Sequence, residues 1–144
     1  MAYCTNSDVT NEFRRLTLND STVSTAKVDA WISQEDAYID GKVGLKYVVP
    51  ITATEALKII KKISILLVSA RVKDALDMGE DADPKIEIIE KGNPRKKAEA
   101  MLQDIIDGKL LLSGASLATS ADGVKSFNAS NSIEHVMDKS KRQW

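Results

Sequence analysis

The chain has 144 residues, with 20 Lys or Arg against 21 Asp or Glu and a formal net charge of −1. That length is enough for one domain with its own core, and the near-neutral balance excludes recognition of DNA, RNA or an anionic membrane through bulk charge. A single cysteine, Cys4, excludes an internal disulfide. The polar stretch 3–18, carrying Asp8, Glu12, Arg14 and Arg15, is not a secretory leader, so the chain is expected to be made and kept in a reducing cytoplasm.

The first expected element is a short helix over residues 6–14, capped by Thr5 or Ser7 and packing Val9 and Phe13. A second helix follows in "STAKVDAWISQEDAYIDGKVG", with Ser24 as N-cap. Val28, Trp31, Ile32, Ile39 and Val43 share one face, and Ala26, Ala30 and Ala37 lie opposite. Glu35 falls within the apolar stripe. No second acid or histidine is placed to work with it, so a paired or interface-facing glutamate is expected.

The linker "LKYVVPIT" contains Pro50, which disfavours helix at Val49. Thr52 or Thr54 is expected to cap the next helix, "EALKIIKKISILLVSARVKDAL". Its longest uncharged run, residues 63–70, is too short to cross a bilayer, which takes roughly 20 apolar residues. At 100° per residue, Ala56, Ile59, Ile60, Ile63, Leu66, Leu67 and Ala70 form one stripe. Lys58, Lys62, Ser69 and Lys73 form a polar one, and Leu57, Ile65, Val68, Val72 and Leu76 form a second apolar set. A helix apolar on two sides is either central to its own chain or also faces another subunit.

An acidic loop with an apolar patch at 86–89 separates this helix from "NPRKKAEAMLQDIIDG". There Asn93 suits the N-cap, Pro94 the first turn and Gly108 the C-terminal stop, and Ala98, Met101, Leu102, Ile105 and Ile106 make the apolar face. "KLLLSG" then reads as a short strand or extended arm. The rest is rich in Ser, Ala, Asn and Gly, which favours a mobile tail, with a short helix expected in "SNSIEHVMDKSKRQW". The fold expected is therefore all-α: a small four-helix bundle with a long central helix over residues 1–114, and an extended, partly flexible C-terminal arm over 115–144.

The usual chemical signatures fail. His135 has no neighbouring Cys or second His to complete a metal site. Cys4 has no visible activating partner. "GKVG" lacks phosphate-loop spacing and closes a helix instead of opening one. A calcium loop started at Asp77 would place Ala82 at the turn glycine and Ile88 at the bidentate glutamate. "PRKK" opens a helix whose dipole it opposes, which fits a solvated end. No catalytic residues, cofactor or metal are expected.

The order of the segments is more informative. "EDAYIDGKVGLKYVVPIT", a long apolar helix and "RKKAEAMLQDIIDGKLLLSG" together resemble the head–tail connector proteins of tailed bacteriophages, also called adaptor or head-completion proteins. The match is closest to the branch of a small structural protein of Mu-like phages. The residues carrying it are Asp36, Ala37, Ile39 and Asp40; Lys46, Tyr47 and Pro50; Leu57 and Ile60; Leu102, Ile105, Gly108 and Lys109; and the opening "YCTNSDVTNEF". The resemblance spans about residues 1–114. The family's aromatic-rich or leucine-rich central positions are Ile and Lys-Lys here.

The resemblance implies a structural virion protein at the head–tail interface, forming a ring, usually of twelve copies, under the portal. Such a ring extends the DNA channel and meets the next connector, stopper or tail protein. It implies as partners other copies of the chain, the portal protein and that next protein. DNA is only in transit, and no membrane is involved. A near-neutral charge suits a channel that must release DNA. On this reading the subunit contacts are expected at Leu57, Val68, Val72 and Leu76 with Tyr47 and Pro50 of the linker. The portal-binding arm is expected to use Leu110, Leu111, Leu112, Phe127, Ile133, Val136, Met137 and Trp144. Two other readings compete: a cellular helical protein-binding adaptor that makes no ring, and a DNA-binding regulator, for which no helix carries the needed cluster of Arg, Lys, Asn and Gln.

Overall fold

A helix that is apolar on two sides needs cover on both, and the fold supplies it. In the computed structural model, which describes residues 1–19, 23–78, 86–89 and 91–118, the chain runs α1 (Asn6–Thr10), β1 (Phe13–Arg14), α2 (Thr25–Val43), α3 (Thr54–Asp77), β2 (Glu87–Ile88) and α4 (Pro94–Asp107). The architecture is mainly helical, with one two-stranded sheet. Among the described residues no helix is long and apolar enough to cross a membrane.

α3, 24 residues and so about 36 Å long, separates two apolar clusters. Ile60, Ile63, Leu66 and Leu67 pack with Ile39 and Val43 of α2, with Ala98, Leu102 and Ile105 of α4, and with Tyr47 and Ile51 of the linker. On the other side Ile65, Val68 and Val72 pack with Val9, Phe13, Val23, Val28 and Ile32. Every residue from 63 to 70 is buried. That includes Ser69, which helical spacing placed on a polar stripe with Lys58, Lys62 and Lys73. A helix hydrophobic nearly all round is a core helix, and this one is enclosed by its own chain.

The helix ends follow local chemistry. Thr5 caps α1 in a reciprocal box with Asp8: the Thr5 hydroxyl accepts from Asp8 N–H, and Asp8 accepts from Thr5 N–H at 2.9 Å. Ser24 and Asn93 cap α2 and α4 through their side chains. α3 differs from expectation. Its N-cap is Ala53, with no side-chain cap, and neither Thr52 nor Thr54 takes that role. α4 stops at Gly108, whose φ of 79° is left-handed. Lys46 Nζ donates to Ile105 O at 3.3 Å, placing a cation at the negative end of that helix.

One expectation about the first segment is corrected. The opening helix ends at Thr10, not Arg14, because the chain is drawn into a sheet: Phe13 pairs with Ile88 and Arg14 with Glu87, and Ile89 N–H donates to Glu12 O at 2.7 Å. The apolar patch at 86–89 supplies the partner strand, a two-residue pairing added to a mainly helical fold. After α4 the chain folds back. Leu112 is buried in the first cluster, and Tyr47 forms an antiparallel bridge with Leu117. The chain therefore stays paired to the rest of the fold as far as residue 118.

Gly108 is constrained by its backbone: its φ of 79° disfavours any L side chain, while the Lys46 Nζ that a Cβ would meet at 2.7 Å ends a flexible side chain and can shift. Gly108→Ala is expected to cost about 1–2 kcal/mol. Urea unfolding should show this as a lower midpoint at unchanged slope.

Candidate functional site

Two consecutive acids on α2, Glu35 and Asp36, are both buried. At 100° apart they point to different neighbours. Glu35 Oε1 pairs with Arg71 Nε of α3 and lies 4.0 Å from Arg95 of α4. The pairing is one of charge, since Oε1 accepts no well-directed hydrogen bond. It ties the three long helices at one point, and Arg71 also donates to Gln34 Oε1 at 2.5 Å.

Asp36 organises the other side. Its Oδ2 accepts Tyr3 N–H at 2.8 Å and its Oδ1 accepts the Ser64 hydroxyl at 2.6 Å. Cys4 Sγ sits 3.2 Å from the same Ser64 oxygen. Ser64 has one hydroxyl proton, so with that proton on Asp36 the thiol is the donor in the second contact. One turn along α2, Asp40 accepts the Tyr3 hydroxyl, which in turn accepts Ile51 N–H at 3.0 Å. Burial pushes the Asp36 carboxyl above its ordinary range despite the hydrogen bonds from Ser64 and Tyr3. Burial likewise pushes the Cys4 thiol up to about 11. That removes the thiolate at neutral pH and with it the nucleophile. The network is a structural tie between the start of the chain, α2, α3 and the linker. Among the described residues no group of three or more His, Cys, Asp and Glu is placed to hold a metal.

The positions expected to meet other proteins divide clearly. Val68 and Val72 are 0% exposed within the second cluster, so the expectation that they face another subunit is corrected: α1, α2 and the strand residue Phe13 already cover them. Leu57 is half-buried against the first cluster. Leu76 is half-buried against the second and lines a cleft with Phe13, Ile86 and Ile88. Tyr47 is buried and Pro50 exposed. Of the arm positions, Leu112 is buried in the chain's own core, which corrects its assignment as a free portal contact. Leu110 is half-buried beside it, and Leu111 is exposed. Phe127, Ile133, Val136, Met137 and Trp144 lie outside the described residues.

What the sequence reading missed is the apolar surface that is exposed. Leu45 (72%), Val48 (54%), Leu111 (66%) and Leu117 (63%) are large hydrophobic side chains in water. Backbone pairing brings two of them, Val48 and Leu117, onto neighbouring segments: Val48 N–H donates to Ser116 O at 2.8 Å, and Ala118 N–H donates to Lys46 O at 2.9 Å. These two bonds flank the Tyr47–Leu117 bridge and make a short ribbon of the linker and the post-α4 segment.

Comparisons with protein-family models, with curated proteins and with solved structures give no significant match.

The acids of α1 and α2 yield two predictions. Glu35→Ala leaves Arg71 without its carboxylate. Because Arg71 is about one-third exposed and can rehydrate, the expected loss is roughly 2 kcal/mol, below the usual cost of breaking a fully buried pair. Chemical denaturation checks the value. Asp8 and Asp36 should show opposite pH dependence. The Lys61 ammonium, 2.8 Å away, holds the Asp8 carboxyl below its ordinary value, so the unfolded chain binds more protons there. The Asp8 contribution is present above the ordinary carboxylate pKa and lost as pH falls through the depressed one. Asp36 is raised, so the folded chain binds more protons and its contribution falls as pH rises through the raised pKa. Asp8→Asn should therefore cost most at neutral pH, and Asp36→Asn most at the acid end. Denaturation curves taken across pH 3–7 would separate the two.

Proposed function

We propose that this chain is a non-enzymatic structural subunit of a tailed-phage particle, one copy of a connector ring seated under the portal at the head–tail interface. Twelve copies is the number the resemblance implies. In this reading the four helices form a small bundle that builds the ring wall and extends the DNA channel. Residues 115–144 act as an arm toward the portal, and the face away from the portal receives the next connector, stopper or tail protein.

The observation that carries the proposal is the exposed apolar ribbon of Leu45, Val48, Leu111 and Leu117. Exposed apolar side chains brought near one another by backbone pairing mark a candidate interaction site, and Leu45, Val48 and Leu111 lie in the segments that carry the family resemblance, with Leu117 just beyond them. The resembling residues also meet one another in space. Asp36 and Asp40 hold Tyr3, Lys46 caps α4 at Ile105, and Tyr47 Oη accepts Leu112 N–H at 3.4 Å. That supports reading them as one inherited framework. In this reading the subunit contact uses the linker and the segment paired with it, and not Val68 and Val72, which the chain's own core covers.

Electron microscopy of the purified protein mixed with its cognate portal, with light scattering on the protein alone, tests the proposal. A symmetric ring capping the portal is the expected result. A protein that stays monomeric and ignores the portal would instead be a helical binding module. A chain truncated after Ala118 keeps the ribbon and loses the rest of the arm. It is expected to fold, as judged by far-ultraviolet circular dichroism, and to bind the portal at least tenfold more weakly, on the order of one lost anchor contact. Undiminished binding would remove the arm from the mechanism.

A further inference from the structure

The linker between α2 and α3 is gripped from two sides by segments far apart in sequence. From the front, the Tyr3 hydroxyl accepts Ile51 N–H at 3.0 Å and is itself held by Asp40. From the back, Val48 N–H donates to Ser116 O, Lys46 O accepts from Ala118 N–H, and Tyr47 Oη accepts Leu112 N–H. The two grips lie three residues apart, on either side of the bend at Val49 and Pro50. Tyr3 and Tyr47 are both buried in the same cluster, together with Ile51 and Leu112.

We infer that the start of the chain acts as a latch on the segment 116–118, and that the linker transmits its state. With Tyr3 seated, the linker is fixed in the bent path that presents Val48 N–H and Lys46 C=O to the 116–118 strand as a ready donor–acceptor pair. With Tyr3 released, Ile51 loses its partner, the path relaxes and the pairing goes with it. The 116–118 strand is held by two backbone bonds and carries the exposed Leu117, so it belongs to the low-stability end of the molecule, where small biases shift local opening. Its opening frees the 46–48 edge and the far face of Tyr47. The chain start thereby controls whether the 46–48 and 116–118 segments stay paired and the ribbon stays assembled. This inference concerns the isolated chain and stands whether or not the chain forms a ring.

Amide hydrogen exchange on the full chain, resolved by residue, tests it. Ile89 serves as reference, since its N–H bonds Glu12 O in the sheet at the other end of α3. Tyr3→Phe removes the hydroxyl and keeps the ring. Val48 and Ala118 are expected to exchange about tenfold faster, the effect of losing roughly one buried hydrogen bond, with Ile89 little changed. Unchanged exchange at Val48 and Ala118, or equal acceleration at all three, would overturn the latch. Coupling between sites is reciprocal, which supplies a second arm for the case in which Tyr3→Phe does not fold. Ala118→Pro deletes one ribbon donor, and Ile51 should then exchange several-fold faster. An Ile51 amide indifferent to Ala118→Pro would also sink the inference.

Discussion

The structure depends on one constraint: α3 cannot leave either side bare. Its residues 63–70 are buried all round, and each large aliphatic side chain there contributes about 1.5–3 kcal/mol on leaving water. No single neighbouring helix can enclose such a segment. α2 lies along a seam where both clusters meet it, with Ile39 and Val43 on one side and Val28 and Ile32 on the other. α4 and the linker close the first side. The short first helix and the two-stranded sheet close the second. The small sheet is thus a cover that completes the enclosure of α3, and its two-residue strands are held by the core beneath them, since so short a pairing is not stable alone.

Apolar contact gives this arrangement its energy but little direction. Direction comes from the polar groups that have been taken inside. Glu35 and Asp36 are adjacent in sequence, yet one engages Arg71 with Arg95 nearby, and the other engages Tyr3 and Ser64. A rotation of α2 by one residue would strand both acids in an apolar setting, which is costly for any buried charge. The same logic holds at the linker, where Lys46 and Tyr47 reach across to the end of α4 and to the strand beyond it. These ties select one rotation and one register from the several that a greasy helix would tolerate.

Much of this was legible in the sequence, for identifiable reasons. Ser24, Asn93, Pro94 and Gly108 marked helix ends because capping is local chemistry, settled within a few residues. The two apolar stripes of α3 announced a central helix because periodicity is also local. The sheet was not legible: Phe13 and Ile88 are 75 positions apart, and a two-residue strand leaves no alternation to detect. The end of α1 was misjudged for the same reason, since it is set by a distant strand and not by a stop signal. Nor could spacing reveal that Val68 and Val72 are covered from within the chain while Leu45 and Val48 are not. Burial is a property of the assembled neighbours, and stripe arithmetic assigns a face without saying what lies against it. Asp36 and Asp40 did leave a trace, two acids one turn apart on a helix with an apolar face, but their partner Tyr3 lies 33 and 37 positions away.

The burial of Cys4 has a practical consequence. The chain carries one thiol, sealed under the N-terminal segment beside Ser64 and too weakly acidic to react at neutral pH. An alkylating reagent therefore finds it only in molecules whose front edge has lifted away from α2 and α3. The native sequence thus contains its own clock for that excursion, readable by mass spectrometry without introducing a label and in the presence of any partner that seals or loosens the fold.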